Sequence, residues 1–96
     1  MSRRLYQIGS HKTSVFTDSA DGFTKVIYWN TAVVSFNNSR IKLDSGGYET
    51  LTTKTRMNQA SRQFNLDFRV FQKDFDWFVE YRGKVFNFSD GMILER

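Results

Sequence analysis

Few side chains in these 96 residues are equipped for bond-making chemistry. His11 is the only imidazole, and there is no cysteine, so thiol nucleophiles, thiolate metal sites and disulfides are excluded. A single histidine cannot assemble a nucleophile–base–acid triad, and no carboxylate pair stands at helical metal-ligand spacing. Asp18 with Asp21, and Asp74 with Asp76, are the closest approach to a carboxylate pair. Both lie in segments whose composition calls for turns, where Asp is favoured for its own backbone hydrogen bonds. Gly46-Gly47 is followed by no Gly-Lys-Ser/Thr element and so does not read as a phosphate-cradling loop. The expectation is a non-enzyme that holds neither metal nor cofactor.

Binding chemistry is better supplied. Residues 50–66 contain Lys54, Arg56 and Arg62 and no acid, with Asn58, Gln59 and Gln63 among them. Arg pairs bidentately with guanine, and Asn or Gln with adenine, so a helix bearing this set suits a nucleic-acid groove. The first 17 residues are likewise acid-free and carry Arg3, Arg4 and Lys12. Arg3, Arg4, Lys54, Arg56, Asn58, Gln59 and Arg62 are therefore the candidate nucleic-acid contacts. The competing reading of the same face is a solvated helix surface made of good helix formers. The net charge of +4 favours polyanions only mildly.

Aromatic residues form the second supply: ten Phe, four Tyr and two Trp, 17% of the chain. Most must form the core, yet a domain of this size has difficulty hiding all of them. Trp29, Tyr48 beside the glycine pair, and Phe75 at a turn between two aspartates are the candidate protein-interface rings, since such side chains anchor interfaces.

The elements that must position these groups follow from periodicity. Thr13–Thr17, Thr24–Trp29, Ala32–Phe36 and Arg40–Leu43 read as strands, the last with Ile41 and Leu43 facing one way and Arg40 and Lys42 the other. Residues 52–64 form the one helix expected. Thr50, Thr52 or Thr53 caps it, Thr53, Met57, Ala60 and Phe64 lie on one buried stripe, and Asn65 stops it. Leu66–Phe71, Trp77–Arg82 and Val85–Phe88 make a meander, followed by Met92–Leu94. Phe71, Phe78 and Phe86 fall on its nominally polar faces. The expected fold is α+β: an antiparallel twisted sheet or partial barrel, a single covering helix near 52–64, and a C-terminal three-stranded meander. Residues 1–11 form a basic N-terminal arm and residues 12–96 one domain.

From Leu43-Asp-Ser-Gly-Gly-Tyr through Thr52-Thr-Lys-Thr-Arg-Met-Asn-Gln-Ala-Ser to Val70-Phe-Gln-Lys and Trp77-Phe-Val, the sequence resembles small proteins of tailed bacteriophages. The likeness spans roughly residues 43–79. It implies an infected bacterial cytoplasm as the setting and no particular activity. Small basic phage proteins without enzymatic residues commonly bind nucleic acid or seize a host protein.

Three functional expectations follow. The first is a non-enzymatic accessory protein that binds DNA or RNA through the helix and the arm. The alternative is a protein-binding inhibitor or modulator of host machinery, such as a defence or transcription complex. A third is a small virion component, which requires a homo-oligomer formed through a sheet edge. No apolar run is long enough for a membrane span, so no membrane partner is expected and a cytoplasmic location is.

Overall fold

The computed structural model describes residues 12–96. Arg3, Arg4 and His11 lie outside the described residues. Eight strands and one helix follow in the order β1 (Thr13–Thr17), β2 (Thr24–Tyr28), β3 (Thr31–Phe36), β4 (Arg40–Leu43), α1 (Leu51–Gln63), β5 (Phe68–Lys73), β6 (Asp76–Tyr81), β7 (Lys84–Asn87) and β8 (Met92–Glu95). The fold is α+β, as its periodicities foretell, but the strands divide into two antiparallel sheets. One has the order β1-β2-β3-β4-β8 and the other is the β5-β6-β7 meander.

Local chemistry sets most of the turns. Between β1 and β2, Asp18 Oδ1 accepts from the Ala20 amide and Asp21 Oδ1 from the Phe23 amide, each at 2.9 Å. Lys25 Nζ then bridges both carboxylates at 3.0 Å. Asn37 Oδ1 accepts from the amides of Ser39 and Arg40 and closes the β3–β4 hairpin. Asp18 and Asp21 thus serve as backbone turn-formers.

The helix starts where Thr50 Oγ1 accepts from the Thr53 amide at 3.2 Å, and Asn65 beyond its end adopts φ 55°. Thr53, Met57 and Ala60 are buried, and Phe64 packs against Phe36 with ring centroids 4.9 Å apart. The stripe that period 3.6 defines is the stripe that packs. Ser61 is buried beside it for another reason. Its hydroxyl donates to the Phe68 carbonyl at 2.7 Å and accepts from the Phe68 amide at 3.0 Å.

One core joins both sheets through the helix. Val26, Val34, Ile41 and Leu43 of the larger sheet are fully buried, and Val70, Trp77, Val79 and Tyr81 of the meander lie in the same cluster. In the meander, β5 pairs with β6 from Phe68↔Tyr81 to Lys73↔Asp76, and β6 pairs with β7 from Phe78↔Asn87 to Tyr81↔Lys84. Phe71 and Phe78 lie on the outer face as expected, stacked at 5.6 Å, with the Arg69 guanidinium 4.5 Å from the Phe71 ring. Phe86 departs from expectation. The two-residue turn Arg82-Gly83 resets the alternation, and the register puts Phe86 opposite Val79, on the inner side.

Trp29 also departs from its expected place at the end of β2. It leaves the strand with φ 57°, and Trp29-Asn30 becomes the two-residue turn into β3. Strand propensity yields here to the hairpin's geometry.

Candidate functional site

Ser61 and Asn58 fix how α1 lies along β5. Asn58 Nδ2 donates to the Val70 carbonyl at 2.9 Å, and its Oδ1 accepts from the Val70 amide at 2.8 Å. Ser61 meets Phe68 and Asn58 meets Val70, so β5 runs back toward the start of the helix. From Asn58 to Leu51 the helix covers about 10 Å, and from Val70 to Phe75 the chain covers about 15 Å. The Asp74-Phe75 turn therefore lies level with the first helical turn or beyond it. Glu49, just before α1, and Asp76, just after the turn, accordingly line one groove.

The β2–β3 turn arrives at the same end. Tyr28, Trp29, Asn30 and Thr31 line a cleft of about 360 Å³ together with Ser45, Tyr48, Thr50 and Thr53. Its floor is firmly built. Ser45 is buried, and both its amide and its hydroxyl donate to Asp90 Oδ1 at 2.7 Å. The Gly46 amide donates to Asp44 Oδ1 at 2.7 Å. At φ 66°, Gly46 sits so close to Thr31 that a Cβ would collide with the threonine side chain. These ties set the position of Tyr48 across the cleft from Trp29.

The result is a set of large apolar side chains at the N-terminal end of α1. Trp29 is 59% exposed, Tyr48 71%, Leu51 74% and Phe75 92%. Trp29 at φ 57° and Phe75 at φ 72° hold their rings on left-handed backbone, a conformation that bulky residues seldom adopt. Lys12 Nζ stands 5.1 Å from the Trp29 ring centroid, and the Arg56 guanidinium 5.6 Å from that of Tyr28. Both cations lie within reach of the rings' negative faces.

Trp29 and Tyr48 are thus brought onto one cleft, and Phe75 onto the same end of the molecule. Leu51 escaped the sequence reading, because one apolar residue at a helix start resembles any core position. The candidate nucleic-acid contacts are dispersed. The Asn58 amide is paired with the Val70 backbone, and a base edge would have to displace those bonds. Arg56 is held inward, with Nε donating to Thr13 Oγ1 at 3.0 Å and Nη1 to Gln59 Oε1 at 3.3 Å. That contact also engages Gln59. Lys54 is half-buried and Arg62 exposed, and neither side chain has a polar partner among the described residues. Arg3 and Arg4 lie outside those residues.

Among the described residues, no group of three or more His, Asp or Glu side chains is arranged to hold a metal ion, and no helix is long and apolar enough to cross a membrane. The displaced titrations belong to the β1–β2 turn. Asp18 and Asp21 are held below the usual carboxylate range, first by the backbone amides they accept and then by Lys25. Lys25 is raised by its bonds to Asp21 and Asp18.

A family model described as Kyanoviridae Gp96 protein matches residues 2–95. The chain therefore belongs to the Kyanoviridae Gp96 protein family, a family of phage proteins. No curated protein and no solved structure matches it.

Proposed function

We propose that this phage protein works by binding a protein of the infected cell's cytoplasm, without catalysing a reaction, through the surface around the start of α1. Four large apolar side chains at that end of the molecule carry the reading: Trp29 and Tyr48 on one cleft, with Leu51 and Phe75, each more than half exposed. Folding alone gives no reason to hold rings at the tips of two-residue turns, where Gly and Asn are favoured. Exposed, preorganised aromatic anchors are what a protein interface uses.

The surface also suggests the chemistry of its partner. The Trp29–Tyr48 cleft has the size and lining for one aromatic or branched aliphatic side chain. Across the Tyr48-Glu49 step, Glu49 and Asp76 flank a groove walled by Phe78 and Phe88, which suits a Lys or Arg. A partner segment crossing this step offers an apolar anchor and a cation.

Nucleic acid is the second reading. Lys54 and Arg62, which have no polar side-chain partner among the described residues, and a first helical turn without acids support it. With Asn58 and Arg56 engaged inside the fold, little of the expected helix face is left for base edges.

Amide NMR titration of the full chain separates the two readings, using a blocked Trp-Gly-Arg peptide and a short oligothymidylate at low salt as probes. The peptide is expected to shift Trp29, Tyr48, Leu51 and Glu49, and Trp29→Ala to abolish the shifts. A silent peptide, with oligonucleotide shifts at Lys54 and Arg62 that fade with salt, would overturn the protein reading.

A further inference from the structure

The two edges of the meander are treated differently. Along β5, Asn58 and Ser61 each both accept from and donate to a strand residue, so the helix occupies the place of a neighbouring strand. Along β7 every residue is exposed, Val85 at 59% and Phe86 at 38%, and no backbone partner other than β6 is present among the described residues.

The register shows which groups that open edge presents. The Phe88 amide donates to the Trp77 carbonyl at 3.0 Å, one step past the Phe78↔Asn87 pair. Bonded and non-bonded pairs alternate in an antiparallel ladder, so Lys84, Phe86 and Phe88 bond toward β6. Val85 and Asn87 therefore turn their N–H and C=O groups away from the sheet.

We infer that the occupant of this edge is a second copy of the chain, paired antiparallel about a two-fold axis through Phe86. Pairing that keeps both faces of a sheet continuous matches odd residues with odd and even with even. Placing Phe86 opposite Phe86 of the second copy meets that condition and sets Val85 opposite Asn87 in both directions. The outward-facing amides and carbonyls then complete four hydrogen bonds. The same register makes the inner row continuous and apolar: Val70, Val79 and Phe86 of one copy run into Phe86, Val79 and Val70 of the other. Shifting to Val85 opposite Val85 would instead set Lys84 against Phe86 and break that row. Setting Phe86 opposite Phe88 would also keep an apolar row, but it places Val85 opposite Ser89, beyond the end of β7. Hydrogen-bond parity, apolar continuity and strand length together select Phe86 opposite Phe86. Because the paired strands are short, the dimer forms and dissociates with concentration. This edge is separate from the Trp29–Tyr48 surface and does not rest on it.

Sedimentation equilibrium of the full chain from micromolar to millimolar protein tests the inference. The expected result is a reversible shift from 11.3 kDa to twice that mass. Val85→Pro removes only an outward N–H, a change an edge strand tolerates, and Phe86→Lys puts charge on the axis. Each should weaken the dimer roughly tenfold or more, with the circular dichroism of the dilute monomer unchanged. If Val85→Pro perturbs the monomer, Phe86→Lys decides. A single-chain mass at every concentration, a dimer indifferent to Phe86→Lys, or assembly that grows past the dimer would overturn the inference. Loss of the dimer in Trp29→Ala would overturn it too, by assigning self-association to the other surface.

Discussion

The carboxamide of Asn58 and the backbone of Val70 exchange two hydrogen bonds, at 2.9 and 2.8 Å, so that one helical side chain mimics a residue of a neighbouring strand. Asn supplies both a donor and an acceptor at the right separation, and neither Asp nor Ala does. Asn58→Ala leaves a half-buried amide and carbonyl without partners. It should cost about 2 kcal/mol in urea unfolding, with Asn58→Asp intermediate.

Phe75 sets stability against binding. At φ 72° its backbone suits glycine, so Phe75→Gly should stabilise the fold by about 1 kcal/mol while weakening the proposed partner. Thermal unfolding and peptide titration on the same sample check both signs. A midpoint that falls would mean the ring is held by packing.

Gly46 has no such freedom. Gly46→Ala places a methyl against the Thr31 side chain on left-handed backbone, and a loss of about 2 kcal/mol or more is expected. Thr31→Ser, which removes a methyl at the contact, should restore part of the loss in denaturant titrations.

The β1–β2 turn gives a pH signature. Asp18 and Asp21 are depressed on folding, so their contribution is complete above the usual carboxylate range and disappears as pH falls through their lowered folded values. Lys25 is raised, so its contribution holds below its ordinary value and is lost as pH rises through the raised one. Lys25→Met should remove the alkaline dependence and only reduce the acid one, because the Ala20 and Phe23 amides still hold the two carboxylates, as read from unfolding midpoints across a pH series.

Trp29 and Trp77 form a natural spectroscopic pair, one exposed and one buried. Acrylamide should quench the emission of Trp29 and leave that of Trp77. In Trp29→Phe the quenchable component should vanish while the folded signal of Trp77 remains.

The helix was legible because its signals agree: a threonine cap, a stripe at period 3.6 and an asparagine stop. Every strand was recognisable from β-branched and aromatic runs, and so was the meander's pairing, but the neighbour of β8 was not. Nothing within Met92-Ile93-Leu94 says that its neighbour is β4 rather than β7, since pairing depends on the space left by other elements. The partner of Asn58 was not legible for a chemical reason: an amide that can read adenine can equally satisfy a strand edge, and its type does not distinguish the two. Trp29 misled because a residue favoured in strands was needed at a tip, where conformation is imposed from outside. Tyr48 and Phe75 stood as candidates for exposure, because turn chemistry beside an aromatic leaves little to bury it.

The strand that completes the larger sheet, β8, comes from the far end of the described chain and pairs with β4 across the whole of α1 and the meander. During synthesis, β1 to β4 emerge as a sheet with a vacant flank, and the filling strand follows only after the meander has been made. Closing a loop of that length costs roughly 3 kcal/mol in chain entropy, so this joining comes late. A meander folded early shortens the span to be closed. Loop closure thus favours an order in which the second sheet is finished before the first.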